Sequence, residues 1–291
     1  MANRLGPALD SVMPTIYSRL ARFVLKDIEQ HALYGALALR LEWLFLSRQD
    51  SFDTTATGAI IGALAYNDHA TAVRFCQLGE YPKSRTSQTI SNRTAAYQAV
   101  ISDGLCGLLL NESSLTAPLL QEIPLPAKPT SYEVSFADCL VHIARMNPDG
   151  FAASLRQYVI DSRKIRTIFK TDRVYCTAAQ GIYALAKHVN PELVETFIPS
   201  GLPNWDADLA SWCQASRNPI ADLDLKPLCT ELHETLIELQ TPRWFRPYSA
   251  PAAAQAVTGS HTAWHQNQVN AYEADLIEEE KAFLKLKGYT E

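Results

Sequence analysis

His261 and His265 stand four residues apart, the spacing that places two imidazoles on one helical face and lets them share a metal ion. A metalloprotease needs a glutamate as general base directly after the first histidine, and this chain carries Thr262 there. The pair also lies at the edge of a Pro/Ala-rich stretch, so its spacing reads as coincidence. His142 and His188 each fall at or beside an apolar helical face, where an imidazole serves as a satisfied core residue or a helix-end cap. The six cysteines (Cys76, Cys106, Cys139, Cys176, Cys213 and Cys229) contain no CxxC pair of the kind that holds structural zinc. They read as small buried thiols of a reducing compartment. No His-Asp dipeptide, DDxxD helix, GxSxG elbow or GxxxxGK[ST] loop occurs. Asp53, Asp138, Asp172 and Asp206 fall where first helical turns or caps are expected, and there a carboxylate offsets orphan amides. No cofactor, metal or catalytic set is expected.

Charge and aromatic clusters point instead to surfaces. DSRKIRTIFKTDR, residues 161–173, gathers Arg163, Lys164, Arg166, Lys170 and Arg173 around a helix end, where cations complement the helix dipole. YEADLIEEEKAF carries Glu273, Asp275, Glu278, Glu279 and Glu280, an acidic face suited to a cationic partner. TPRWFRPY supplies Trp244, Phe245 and Tyr248, residue types typical of interface anchors. Trp205, Asp206 and Asp208 follow the turns of Ile198-Pro199 and Leu202-Pro203, a loop setting expected to present side chains outward. The candidate partner-binding residues are therefore Trp205, Asp206, Asp208, Trp244, Phe245, Glu278, Glu279 and Glu280.

The elements that must carry these residues are helical. Ile16, Leu20, Phe23 and Val24 form one apolar stripe, and Leu33, Leu37, Leu41, Leu44 and Phe45 another. Residues 54–66 and 69–79 predict a short hairpin joined at Asn67-Asp68, and a longer helix follows from about Thr86 to Leu110. Residues 111–134 hold four prolines and read as a connection, within which YEVSF forms at most a short extended piece. SFADCLVHIARMNPDGFAASLRQYV, residues 135–159, then gives two stripes: Phe136, Leu140, Ile143 and Ala144, then Phe151, Leu155, Tyr158 and Val159. Between them Asn147-Pro148 supplies an N-cap and a first-turn proline. Further helices are predicted at 172–188, after Asn190-Pro191, at 205–215 and at 219–240, with Asn-Pro recurring at 147, 190 and 218.

This pattern predicts an all-α fold of stacked antiparallel helical hairpins over residues 1–240. Residues 241–263 read as a Pro/Ala-rich linker, and residues 264–291 as a C-terminal helix packing on the body. The chain of 291 residues is long enough for a full core, and its 47% hydrophobic and 20% charged residues are those of a globular protein. A net charge of -5 disfavours nonspecific nucleic-acid binding, which needs a basic field. The longest apolar run, ALYGALALRLEWLFL, is broken by Arg40 and Glu42, so no membrane span is expected. The N-terminus lacks the continuous apolar core of a secretory signal, and the cytosol is the expected compartment.

Three segments carry a resemblance: FADCLVHIARMNPDGFAASLRQYV from Phe136, FKTDRVYCTAAQGIYALAKHV, and ETFIPSGLPNWDADL. Together they are similar to the helical immunity proteins of bacterial polymorphic-toxin systems, in the family termed immunity 49. The shared pattern is a helix ending in a small-residue break, a second helix with an aliphatic ladder, and an Ala/Gly-rich helix followed by a Leu-Pro turn. It covers roughly residues 40–215. The resemblance implies a cytosolic antitoxin that binds a cognate toxin encoded nearby and occludes or distorts its active site, with no catalytic residues of its own. The alternative is a non-catalytic α-helical adaptor that takes a peptide or helix of another protein in a groove.

Overall fold

The computed structural model describes residues 15, 18–46, 52–78, 93–121, 123, 125–164, 174–202 and 204–215. The predicted helices at 219–240 and 264–287, the linker and the Asn-Pro at 218 lie outside these residues. What is described is all-α, and no strand occurs among the described residues.

A π-helical turn, Ala21–Leu25, leads into α1 (Ile28–Leu46) and α2 (Phe52–Ala65). Then come α3 (His69–Leu78), α4 (Arg93–Leu110) and the single turn α5 (Ser113–Thr116), which runs into a 3₁₀ turn at Ala117–Leu120. The second half holds α6 (Ser131–Ala144), α7 (Pro148–Ser162), α8 (Thr177–Val189), a 3₁₀ turn at Pro191–Val194 and α9 (Ala207–Gln214).

Caps explain most of these boundaries. Asn147 accepts a hydrogen bond from the Gly150 amide at 3.0 Å and Pro148 opens α7, as the Asn-Pro signal predicts. Asp68 accepts from the Thr71 amide at 3.3 Å to start α3, after Asn67 turns the chain with φ 59°. Where an extended piece was expected at YEVSF, α6 begins instead. Thr130 accepts from the Glu133 amide at 3.2 Å, and Glu133 accepts from the Thr130 amide at 2.8 Å. This capping box satisfies two orphan donors, and it outweighs the four prolines upstream. Asp138 lies exposed in the middle of α6, not in its first turn, because the helix starts earlier than its apolar stripe suggests.

The expected stripe of Leu20 and Val24 is also overturned. Both are exposed, at 43% and 65%, while Ala21 and Arg22 turn inward. The π-helical turn adds a residue to the helical repeat there, which rotates the face that meets the body.

The densest packing joins α6 to α7, and α8 to α2. Phe151, Leu155, Tyr158, Leu140 and Ile143 are fully buried between the helices of the first pair. The second pair approaches so closely that a Cβ on Gly181 of α8 would run into the Ile61 carbonyl of α2. The α4 helix packs on α2, α6 and α8 and completes the main core. A smaller cluster of Ala32, Leu209 and Trp212 ties α9 onto α1.

Candidate functional site

Two of the residues expected on a partner-binding surface face inward. Trp205 is 8% exposed and meets Phe197 at 5.1 Å and Tyr183 at 5.7 Å between ring centroids. Asp206 is 1% exposed and caps α9, accepting from the Leu209 amide at 3.0 Å. The two proline turns carry the chain into the body, where burial of the indole is favourable and the carboxylate finds a counter-charge. Asp208 alone is presented to solvent, with 69% of its side chain exposed. Trp244, Phe245, Glu278, Glu279 and Glu280 lie outside the described residues, as do His261 and His265.

The counter-charge is Arg22, which the apolar sequence stripe concealed. Its Nε donates to Asp206 Oδ2 at 2.8 Å and its Nη2 to Asp206 Oδ1 at 2.7 Å. Nη2 also donates to Asp208 Oδ2 at 2.9 Å, and the guanidinium sits 4.4 Å above the Tyr175 ring. Burial alone would disfavour the charge, but the bonds to Asp206 and then Asp208 outweigh it and hold the Arg22 pKa above its ordinary value. Gln180 of α8 donates to the Asp206 carbonyl at 3.0 Å. One network therefore joins the N-terminal turn, the start of α9 and α8.

Beside this network lies an open-sided cavity of about 620 Å³ between the N-terminal turn, α1, α2 and the start of α8. Gly35, Ala38, Gly58 and Gly62 supply small walls, and Phe23, Tyr66, Tyr132 and Tyr175 supply rings. Ser18, Arg22, His31 and Ser162 contribute its buried polar groups. A volume of several hundred cubic ångströms with apolar walls and few polar groups is the ordinary form of a small-molecule pocket.

The tautomer of His31 follows from its partners. Nδ1 lies 2.9 Å from the Ser18 carbonyl, which only accepts, so Nδ1 carries the proton. Ser18 Oγ in turn donates to the His31 carbonyl at 2.8 Å. Burial lowers the His31 pKa and keeps the ring neutral, leaving Nε2 as a lone-pair acceptor.

Elsewhere the polar groups have structural work. His142 packs at the α6–α7 turn, with Nδ1 3.3 Å from Asn147 Nδ2, and His188 Nε2 lies 3.3 Å from the Leu109 carbonyl. Lys164 pairs with Asp161 at 2.6 Å at the end of α7, as a dipole-complementing cation should. Cys76, Cys106, Cys139 and Cys176 are buried thiols, and burial pushes the Cys213 thiol up to about 12. Among the described residues no group of three or more His, Cys, Asp or Glu is placed to hold a metal ion. No described helix is long and apolar enough to cross a membrane.

No family model, no curated protein and no solved structure matches this chain.

Proposed function

We propose that this protein is an immunity protein, a helical antitoxin that binds a cognate toxin encoded nearby and blocks its active site without catalysis of its own. The observation that supports it most is that the three segments with the family resemblance pack as one unit. Asn204, from the third, donates to the Val159 carbonyl at 2.7 Å in the first and to Ser162 Oγ at 2.9 Å three residues beyond it. The Cys176 amide of the second donates to the Asn204 carbonyl at 2.8 Å. Trp205 packs against Tyr183 of the second. A body held this firmly loses little entropy when a partner docks.

One end of that unit offers a surface for a partner. Thr196 Oγ1 donates to the Pro148 carbonyl at 3.1 Å, which sets the 3₁₀ turn beside the start of α7. Met146 and Ile198 are 51% and 60% exposed there, among exposed Asp149, Glu192, Glu195, Arg145 and Arg156, and Arg156 Nη2 donates to the Ile198 carbonyl at 2.9 Å. Exposed apolar residues inside a charged rim give a contact that expels water. This end and Asp208 join Trp244, Phe245 and Glu278 to Glu280 as the surfaces to test.

The experiment is co-expression with the adjacent gene product, read as co-purification and as survival of cells making the toxin. Failure of both overturns the immunity reading. A helical adaptor is favoured by one observation, the outward projection of Leu20, Val24 and Leu25 from the N-terminal turn. It would be indicated by retention of a helical peptide that depends on those three side chains.

A further inference from the structure

We propose that residues 227–240 of this chain form a helix that docks on the exposed apolar face of the N-terminal turn, made by Leu20, Val24 and Leu25. All three side chains are exposed, while Ala21 and Arg22 of the same turn are buried. Among the described residues the other exposed large apolar side chains, from Leu120 to Ile198, stand singly in the sequence. A lone exposed leucine is ordinary, but a group held together on one turn marks a surface that something covers. The group is held firmly, because Arg22 within it is bonded to Asp206 and Asp208.

The occupant is identified by its pattern and its charge. Leu228, Leu232, Leu236 and Leu239 recur at the helical period and form one apolar stripe, with Glu231, Glu234 and Glu238 along its side. Residues 227–240 contain no lysine or arginine, whereas residues 18–26 contain Arg19, Arg22 and Lys26 and no carboxylate. Arg22 is engaged by Asp206 and Asp208, so Arg19 beside Leu20 and Lys26 beside Leu25 are the cations the glutamates would meet. Asp27, the first acid beyond them, accepts from the Gln30 amide at 2.9 Å. Surface ion pairs contribute little, so burial of the leucines supplies the stability and the charges set the orientation.

The chain leaves the body close to that face. The α9 helix begins at the carboxylates that hold Arg22, and its eight residues span about 12 Å. Its last turn places Trp212 in a cluster with Ala32 and Ile28, and Ile28 follows closely after Leu25 in the chain. Trp212 Nε1 is buried without an acceptor among the described residues, an unmet hydrogen bond that the chain running on from Ala215 is placed to satisfy. Residues 215–226 reach up to about 40 Å when extended, which is ample for the return. So short a tether holds the segment at an effective concentration of about a millimolar, which favours it over a second copy or a separate peptide. The proposal gives to this chain the face that an adaptor would leave to another protein, and it does not rest on toxin binding.

Hydrogen exchange of the full chain, read by mass spectrometry, tests the contact. Amides of residues 227–240 should be protected, and in the Leu20→Asp/Val24→Asp double variant they should exchange about tenfold faster or more. Leu232→Asp should do the same from the other side of the contact, whereas Thr230→Asp, on the opposite face of the segment, should leave protection unchanged. Retained protection of the α6–α7 amides establishes that each variant is folded. No protection of residues 227–240 in the unaltered chain, or protection that survives both the double variant and Leu232→Asp, overturns the proposal. Carbodiimide coupling then identifies the occupant: Lys26 should be joined to Glu231, Glu234 or Glu238 within one chain, and Lys26→Arg should abolish the product while keeping the charge. Links that join labelled to unlabelled protein in an isotope-mixed sample would assign the face to a second copy and overturn the proposal.

Discussion

The α6–α8 end of the molecule and the end built from the N-terminal turn, α1 and α2 are held together by different means. At the first, large side chains fill the space: Phe151, Leu155 and Tyr158 are fully buried, and Tyr183, Phe197 and Trp205 form a ring cluster. At the second, Leu37, Ile60 and Leu64 are fully buried too, but alanines (Ala32, Ala36, Ala59 and Ala63) hold much of the interior, and the side facing the N-terminal turn is closed by the hydrogen bonds of Ser18, Arg22, His31 and Asp206. Close packing at one end makes stability depend on shape. At the other a polar network holds elements around space that side chains do not fill, so stability depends on pairing. Small residues let helices approach, but without bulky partners they leave volume behind.

The largest effect should come from the polar end. Asp206→Ala removes the α9 cap and strands Arg22 as a buried charge, an expected loss of about 3–5 kcal/mol in denaturant unfolding. Asp208→Ala, which removes only the exposed carboxylate, should cost about 1 kcal/mol or less. Equal losses for the two would mean that the buried bidentate pair does not hold this end.

Leu155→Ala or Leu140→Ala, in the close-packed pair, should each cost about 2–5 kcal/mol, because both side chains are fully buried. Leu39→Ala borders the cavity and is only half-buried, so its loss should be nearer 1 kcal/mol. Gly181→Ala, at the junction of the two ends, pushes α8 off the Ile61 carbonyl and should cost about 1–3 kcal/mol by overpacking. A Leu39→Ala loss as large as that of Leu155→Ala would erase the distinction between a filled and an unfilled interior.

Acid should also act on the two ends unequally. Burial holds the His31 pKa below its ordinary 6.5, and burial followed by the neighbouring His188 does the same to His69. Between the folded and unfolded values the unfolded chain binds the additional proton. The stability contributed by each neutral ring is therefore complete above 6.5 and is lost as the pH falls below it. Tm should drop between about pH 7.5 and about pH 5.5, and His31→Gln should flatten part of that drop. An unchanged slope in His31→Gln would place the pH sensitivity elsewhere.

The two ends differ in the same way in how far their sequences disclosed them. The α6–α7 hairpin was legible because its stripes and its Asn147-Pro148 break are local, and a buried apolar face repeats with the helical period. The start of α6 was missed although Thr130-x-x-Glu133 is a local capping signal, since the neighbouring prolines spoke louder. The polar end was legible only in Asp206, read as a helix cap and found capping α9. Asp206 also looked like a surface acid because its partner Arg22 lies 184 residues away in sequence. Arg22 itself, one charge inside an apolar stripe, was the available signal. The cavity had none, since its walls come from segments far apart in sequence, and empty volume leaves no periodicity.

The smallest effect comes from an exposed glycine of α2. Gly58 lies inside α2, and glycine in a helix costs about 0.5–1 kcal/mol relative to alanine through backbone entropy. A methyl group at this position would meet nothing within 4 Å, so no clash opposes the gain. Gly58→Ala should therefore stabilise the protein by about 0.5–1 kcal/mol, raising the denaturation midpoint without changing its slope. Gly181→Ala serves as the opposite control: the chemical change is identical, but the added methyl meets the backbone of α2. Destabilisation by both would mean that Gly58 too is packed against a neighbour. Opposite signs would show that α2 presents an open face at Gly58 and a close-packed one at Ile61.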